Sequence, residues 1–167
     1  MLQLRDLPSP EILGKFAERY PDADVTAISG FLYLLRVATD LSLALDTCLS
    51  KHDLLQGRWW VLILLMREES LTSTPSILAE KLGITRATMT GLLDGLEQNG
   101  LVTRVFAKED RRSVNIQLTS AGQAKLDVVM PDYYRRLKQC MQALSEENRI
   151  QLQQLLGLIN MGIPALV

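Results

Sequence analysis

Metal-binding and nucleophilic side chains are scarce in this chain of 167 residues, which holds two cysteines, Cys48 and Cys140, and one histidine, His52. No two of them stand at a metal-site spacing such as C-x-x-C, so a structural zinc site is excluded. The same scarcity weighs against an enzyme. Only His52 is available for a nucleophile–histidine–carboxylate arrangement, and the chain has neither G-x-G-x-x-G nor another phosphate-cradling glycine loop. Neither a catalytic group nor a cofactor is expected. An excess of one charge is also missing: 18 Lys plus Arg against 19 Asp plus Glu give a net charge of −1. Any nucleic-acid surface must therefore be local. The longest unbroken apolar run, Trp59 to Met66, is flanked by Arg58 and Arg67 and falls far short of the roughly 20 residues of a membrane-spanning helix. The first residues, with Asp6 and Glu11 close to two prolines, lack the basic-then-apolar pattern of a secretory signal. A cytoplasmic protein without a membrane partner is expected.

What is present is an ordinary globular composition, 47% hydrophobic and 22% charged, enough for one compact domain or two small ones. Ser9-Pro10 is a cap followed by proline at the first helical position, and Ile12, Leu13, Phe16 and Tyr20 follow at helical spacing up to Pro21. From about Asp24 to Leu49, Val25, Ile28, Leu32, Leu35, Ala38, Leu41 and Leu45 recur every three to four residues, which predicts a long amphipathic helix. His52 and Asp53 interrupt it. A helix from about Leu55 to Arg67 is apolar nearly all round, as a central buried helix should be.

Thr74-Pro75 repeats the cap-then-proline pattern and opens a short helix closed by Leu82-Gly83. Thr85 caps a further helix to about Asn99-Gly100, with Met89, Leu92, Leu93 and Leu96 on its inner stripe. The period then changes. Leu101 to Phe106 is rich in β-branched and aromatic residues, and Val114, Ile116 and Leu118 alternate with polar neighbours, so the charged segment from Ala107 to Arg112 joins a hairpin. Thr119 or Ser120 caps the next helix, whose apolar stripe continues from Leu126 to Leu144 through a kink at Pro131. Ser145 opens a last helix with Leu152, Leu155, Leu156 and Ile159 on one face.

Helix, short helix, turn, helix and β-hairpin form the order of a winged helix-turn-helix. The expected fold is mainly α, with a small hairpin wing and a helical dimerisation region. Ala79 is small where two helices cross, and Gly83 falls in the turn between them. In such a motif the second helix enters the major groove by its N-terminal residues, which makes Thr85, Arg86, Thr88 and Thr90 the candidate readers. Arg86 suits a guanine or a phosphate; taken alone, this set is equally an ordinary solvated face. The hairpin holds Arg104, Lys108, Arg111 and Arg112 against Glu109 and Asp110, a local positive balance where a wing needs it.

These residues resemble the MarR family of bacterial transcriptional regulators, with a lean toward its multidrug-efflux repressor branch. The likeness rests on the run from Leu78 to Ile84, on Leu93 to Val102, and on Asp110-Arg111-Arg112 leading into Ile116-Gln117-Leu118-Thr119. It implies a homodimer with a helical dimerisation region at about 1–50 and 120–167 and a DNA-binding lobe at about 54–119. It also implies a ligand-responsive repressor acting on double-stranded DNA at a pseudo-palindromic operator, released by a small aromatic or phenolic effector. By the same resemblance Asp110 orients Arg112 into the minor groove, with Arg111 nearby for phosphate; Lys108 completes the candidate wing residues. His52, Arg58, Trp59 and Trp60 are the candidate effector residues. The helical position of Trp59 and Trp60, about 100° apart, puts at least one of them in the core. Cys48 and Cys140 lie on apolar helices, where buried inert thiols are expected. A protein-binding winged helix is the alternative function. Gly91 and Gly95 depart from expectation inside the reading helix, each costing about 1 kcal/mol relative to alanine; they either permit a close backbone approach or leave fewer base contacts.

Overall fold

The computed structural model of the chain describes residues 6–106 and 114–167. It divides into two compact units, residues 1–59 and 60–167, each described here by itself.

The first unit carries α1 (Pro10–Arg19) and α2 (Val25–Ser50), and its last residues begin α3 (Gln56–Met66). Ser9 caps α1 by accepting a hydrogen bond from the Ile12 amide, with Pro10 at the first helical position. Asp24 caps α2 through one carboxylate oxygen that accepts from the amides of Thr26 and Ala27 at 2.9 and 3.0 Å and from the Thr26 hydroxyl at 2.7 Å. Those bonds, the Thr26 hydroxyl first, hold the Asp24 carboxyl below its ordinary pKa. Buried side chains here are few: Leu13, Cys48, Leu49, Leu54 and Trp59. By contrast Phe31, Tyr33, Leu35, Val37, Leu41 and Leu43 of α2 are exposed. By length and composition α2 is apolar enough to cross a bilayer, a property the search for unbroken apolar runs missed because Arg36, Asp40 and scattered small polar residues punctuate it. Its charged pair is satisfied locally, Arg36 donating to Asp40 at 2.6 Å one turn on.

The second unit holds the rest of α3, then β1 (Thr72–Ser73), α4 (Pro75–Leu82), α5 (Arg86–Gln98), β2 (Val102–Phe106), β3 (Val114–Leu118), α6 (Ser120–Cys140) and α7 (Glu146–Gly162), followed by a 3-10 turn at Ile163–Leu166. The sheet is antiparallel in the order β1-β3-β2, with Arg104 opposite Ile116 and Thr72 opposite Gln117. The core is Val61, Leu62, Leu65, Leu78, Met89, Leu93, Leu96, Ile116, Leu126 and Val129, all but sealed from solvent. It joins buried residues of α3, α4, α5 and α6 to the inner face of the sheet, as a two-layer packing requires, whereas α7 buries none of its residues within the chain.

Three turns fix the path of the chain. Gly83 takes φ +63° at the end of α4, and its amide donates to the carbonyls of Ala79 and Glu80, the left-handed cap that glycine adopts without a Cβ penalty. Leu71 also stands at positive φ, 55°, and its carbonyl accepts from the Leu118 amide, so the turn before β1 is tied to β3. Thr119 is the densest junction. Its amide donates to Leu101 O, its hydroxyl donates to Gly100 O at 2.7 Å, and the same hydroxyl oxygen accepts from the Gly122 amide as the cap of α6.

Two sequence expectations are corrected. The helix predicted to run on to Leu144 ends at Cys140, because Ser145 accepts from the Asn148 amide and starts a separate helix, α7. Cys140, expected to be buried, is exposed, whereas Cys48 is buried; the apolar neighbours of Cys140 along α6 do not cover that face within the chain.

Candidate nucleic-acid interface

The N-terminus of α5 is built by a threonine pair. Thr85 caps the helix by accepting from the Thr88 amide at 3.1 Å, and the two hydroxyls lie 2.9 Å apart in a further hydrogen bond. Thr90 donates its hydroxyl to the Arg86 carbonyl at 3.0 Å, the back-bonding that polar β-branched residues adopt inside helices. Met89, Leu93 and Leu96 bury the opposite stripe, while Leu92, predicted to join them, is only half-buried. All four predicted readers, Thr85, Arg86, Thr88 and Thr90, are exposed on the outer side of α5. Arg86 has no ion-pair partner among the described residues, so its guanidinium stands free beside the positive end of the helix dipole. The first turn of α5 thus exposes backbone amides, threonine hydroxyls and one guanidinium, donors suited to phosphate and base edges.

The hairpin rises beside the other end of the same helix. Arg104 of β2, counted from sequence among the wing's positive charges, turns inward to a pair of carboxylates on α5. Its guanidinium donates to Asp94 at 2.6 Å and to Glu97, and its backbone amide donates to Glu97 at 3.2 Å. The Asp94 hydrogen bond chiefly, with the Glu97 charge behind it, raises the Arg104 pKa against partial burial. Arg104 therefore binds strand to helix and neutralises two acids instead of offering a charge to solvent. Sequence spacing hides this, because the partners lie 10 and seven residues away across a turn. The wing residues Lys108, Asp110, Arg111 and Arg112 lie outside the described residues.

The candidate effector residues are distributed as follows. Trp59 is buried at 2% exposure and Trp60 is 38% exposed, the split that their angular separation on α3 predicts. His52 is half-buried at the end of α2, and the Arg58 Nε is buried without a hydrogen-bond partner among the described residues.

A helix-turn-helix with a free, donor-rich second helix and an adjoining antiparallel hairpin defines a winged-helix DNA-binding protein. The MarR family model matches residues 55–114, which takes in α3, α4, α5 and the strands up to the start of β3. Relatives match along nearly the whole chain. The transcriptional repressor YetL of Bacillus subtilis is 30% identical over 93% of this chain and 93% of its own length. The transcriptional regulator PecS of Dickeya dadantii is 34% identical over 92% of this chain and 93% of its own. Among solved structures, Sco3205 of Streptomyces coelicolor, a MarR family regulator in complex with DNA, superposes with a TM-score of 0.73 at 23% identity, covering 79% of this chain and 84% of its own. CouR of Rhodococcus jostii, bound to p-coumaroyl-CoA, gives 0.67 at 23% identity, covering 77% and 89%. The chain belongs to the MarR family and is a DNA-binding transcriptional regulator, not an enzyme.

Proposed function

We propose that the protein is a homodimeric repressor that binds a pseudo-palindromic operator, each protomer setting Thr85, Arg86, Thr88 and Thr90 in a major groove and Arg112 in the flanking minor groove. The observation that carries this reading is the exposed N-terminus of α5, where Arg86 has no carboxylate partner among the described residues while Arg104 of β2 has two. Two-fold symmetry then demands half-sites about 34–36 Å apart along the duplex, or a multiple of that.

Dimerisation is supported by unpartnered apolar surface in both units: Phe31, Leu35 and Leu41 on α2, and Ile150, Leu155 and Ile159 on α7, are exposed within one chain. Apolar side chains gathered on an exposed helix face mark an interaction surface. Residues of about 1–50 and 120–167 form the dimerisation region in this reading, and about 54–119 the DNA-binding lobe. A regulator of this kind works in the bacterial cytoplasm, where its operator is.

The effector is a small aromatic or phenolic acid held at His52, Arg58, Trp59 and Trp60. Support comes from the buried, unpartnered Nε of Arg58, which an anionic group would satisfy, and from the phenolic thioester bound by CouR. Release from DNA follows only if the effector binds the DNA-incompetent arrangement more tightly. The test is footprinting on genomic fragments with wild-type, Arg86→Ala and Arg112→Ala proteins. A short palindromic footprint weakened by both substitutions is expected. Absence of any footprint from the reduced, ligand-free protein would transfer the reading to a protein-binding winged helix.

A further inference from the structure

Gly91 stands inside α5, the sixth residue of a helix that runs from Arg86 to Gln98. Glycine is the poorest ordinary helix former after proline, so an interior glycine needs a reason. Two reasons internal to the chain are absent. Its φ is not positive, and a Cβ built on it meets nothing within 4 Å. Gly122, by contrast, is a glycine whose Cβ would strike backbone. Gly91 is exposed, and successive residues of a helix are turned by about 100°. On that wheel Met89, Leu93 and Leu96 centre the buried stripe, and Gly91 falls within roughly 15° of the line diametrically opposite. The outermost ridge of the helix thus reads Ala87, Gly91, Asp94, with Arg86 and Thr90 on one flank and Thr88 on the other.

We propose that Gly91 is the point where the backbone of α5 meets the floor of the major groove, so that the missing side chain sets how deep the helix seats and which flanking side chains reach base edges. An α-helix with its side chains is about 10–12 Å across and the groove about 12 Å wide, which leaves little room along the outermost ridge. Low at Ala87 and Gly91, the ridge lets Arg86, Thr88 and Thr90 reach the bases from the flanks, while Asp94 further along is paired with Arg104. The inference rests on α5 being the reading helix, and it makes Gly91 a specificity-determining residue.

The experiment compares wild type with Gly91→Ala, Gly91→Leu and Arg86→Ala as full-length proteins, on a duplex selected by the wild type from a random pool and on an unselected duplex. Because the position is open within the chain and alanine is the better helix former, Gly91→Ala raises the thermal midpoint by roughly 2–4 °C. The same substitution weakens binding to the selected duplex by roughly tenfold, the scale of one mismatched base pair. Gly91→Leu weakens it further, and binding to the unselected duplex changes far less. Opposite signs for stability and affinity are the signature. If Arg86→Ala weakens binding while Gly91→Ala binds the selected duplex as wild type does, the Gly91 inference falls and the recognition-helix reading stands. If neither substitution weakens binding, the reading of α5 itself falls. A lowered midpoint for Gly91→Ala would overturn the openness of the position and with it the inference.

Discussion

Gly122→Ala probes a close backbone approach between α6 and the chain entering β2. A Cβ at position 122 would sit 2.2 Å from the Leu101 carbonyl oxygen and 2.6 Å from Leu118 Cδ1, whereas carbon and oxygen ordinarily keep more than about 3.2 Å apart. The leucine methyl can rotate away, but the carbonyl is held. Leu101 O accepts from the Thr119 amide at 3.1 Å, and the Leu101 amide donates to Leu96 O at 3.0 Å. Relief therefore requires α6 to lift by about 1 Å from the chain entering β2, which strains the Thr119 junction. Overpacking of this kind costs about 1–3 kcal/mol, and a weakened buried hydrogen bond adds about 1 kcal/mol. Alanine returns at most about 1 kcal/mol of helix propensity. The net destabilisation is about 1–3 kcal/mol, a fall of roughly 2–12 °C in the thermal midpoint for a chain of this size. Calorimetry at fixed protein concentration is the assay, since the proposed dimerisation would make the midpoint concentration-dependent. An unchanged or raised midpoint would refute the reasoning.

Arg104→Gln leaves Asp94 and Glu97 without their cation, so DNA binding is expected to weaken several-fold through repulsion from phosphate, and Asp94→Asn with Glu97→Gln in the same chain should restore it; titration at two salt concentrations checks both. Thr119→Val removes the hydroxyl that serves Gly100 O and the Gly122 amide, and a loss of about 1–2 kcal/mol is expected in denaturant unfolding. The Asp24 carboxyl has its folded pKa lowered by the bonds of its cap, so its contribution is present above the ordinary aspartate pKa and fades as pH falls through the folded value. Comparison with Asp24→Asn should accordingly show a thermal gap at pH 6 that closes on acidification through the carboxylate range.

Caps and stops were the legible part of the sequence. Ser9, Thr74, Thr85, Thr119 and Ser145 each accept from the amide three residues on, and a cap depends only on neighbours in the chain. Helical and alternating periods located the buried faces of α5 and of the hairpin for the same reason. Features set by distant residues were hidden. β1 is only two residues long, too short to show an alternation, and exists because β3 offers it a free edge. The partners of Arg104 and the contact that requires glycine at position 122 depend on how α5, β2 and α6 pack, which no local pattern encodes. Exposure of Cys140 likewise follows from what does not cover α6. The exposure of Thr85, Arg86, Thr88 and Thr90 on α5 was legible because a cap residue fixes the phase of everything after it.

The central claim is that this chain grips DNA by the phosphate-facing start of α5 and the adjoining wing, as a two-fold pair. Its most direct measurement is the equilibrium affinity of the full-length protein for its footprinted duplex across a series of salt concentrations, in wild type and in Arg86→Ala. The account predicts a steep, linear fall of log affinity with log salt that reflects several phosphate contacts per dimer, with weaker binding by Arg86→Ala at every salt concentration. A flat salt dependence, or an Arg86→Ala protein indistinguishable from wild type, would contradict it.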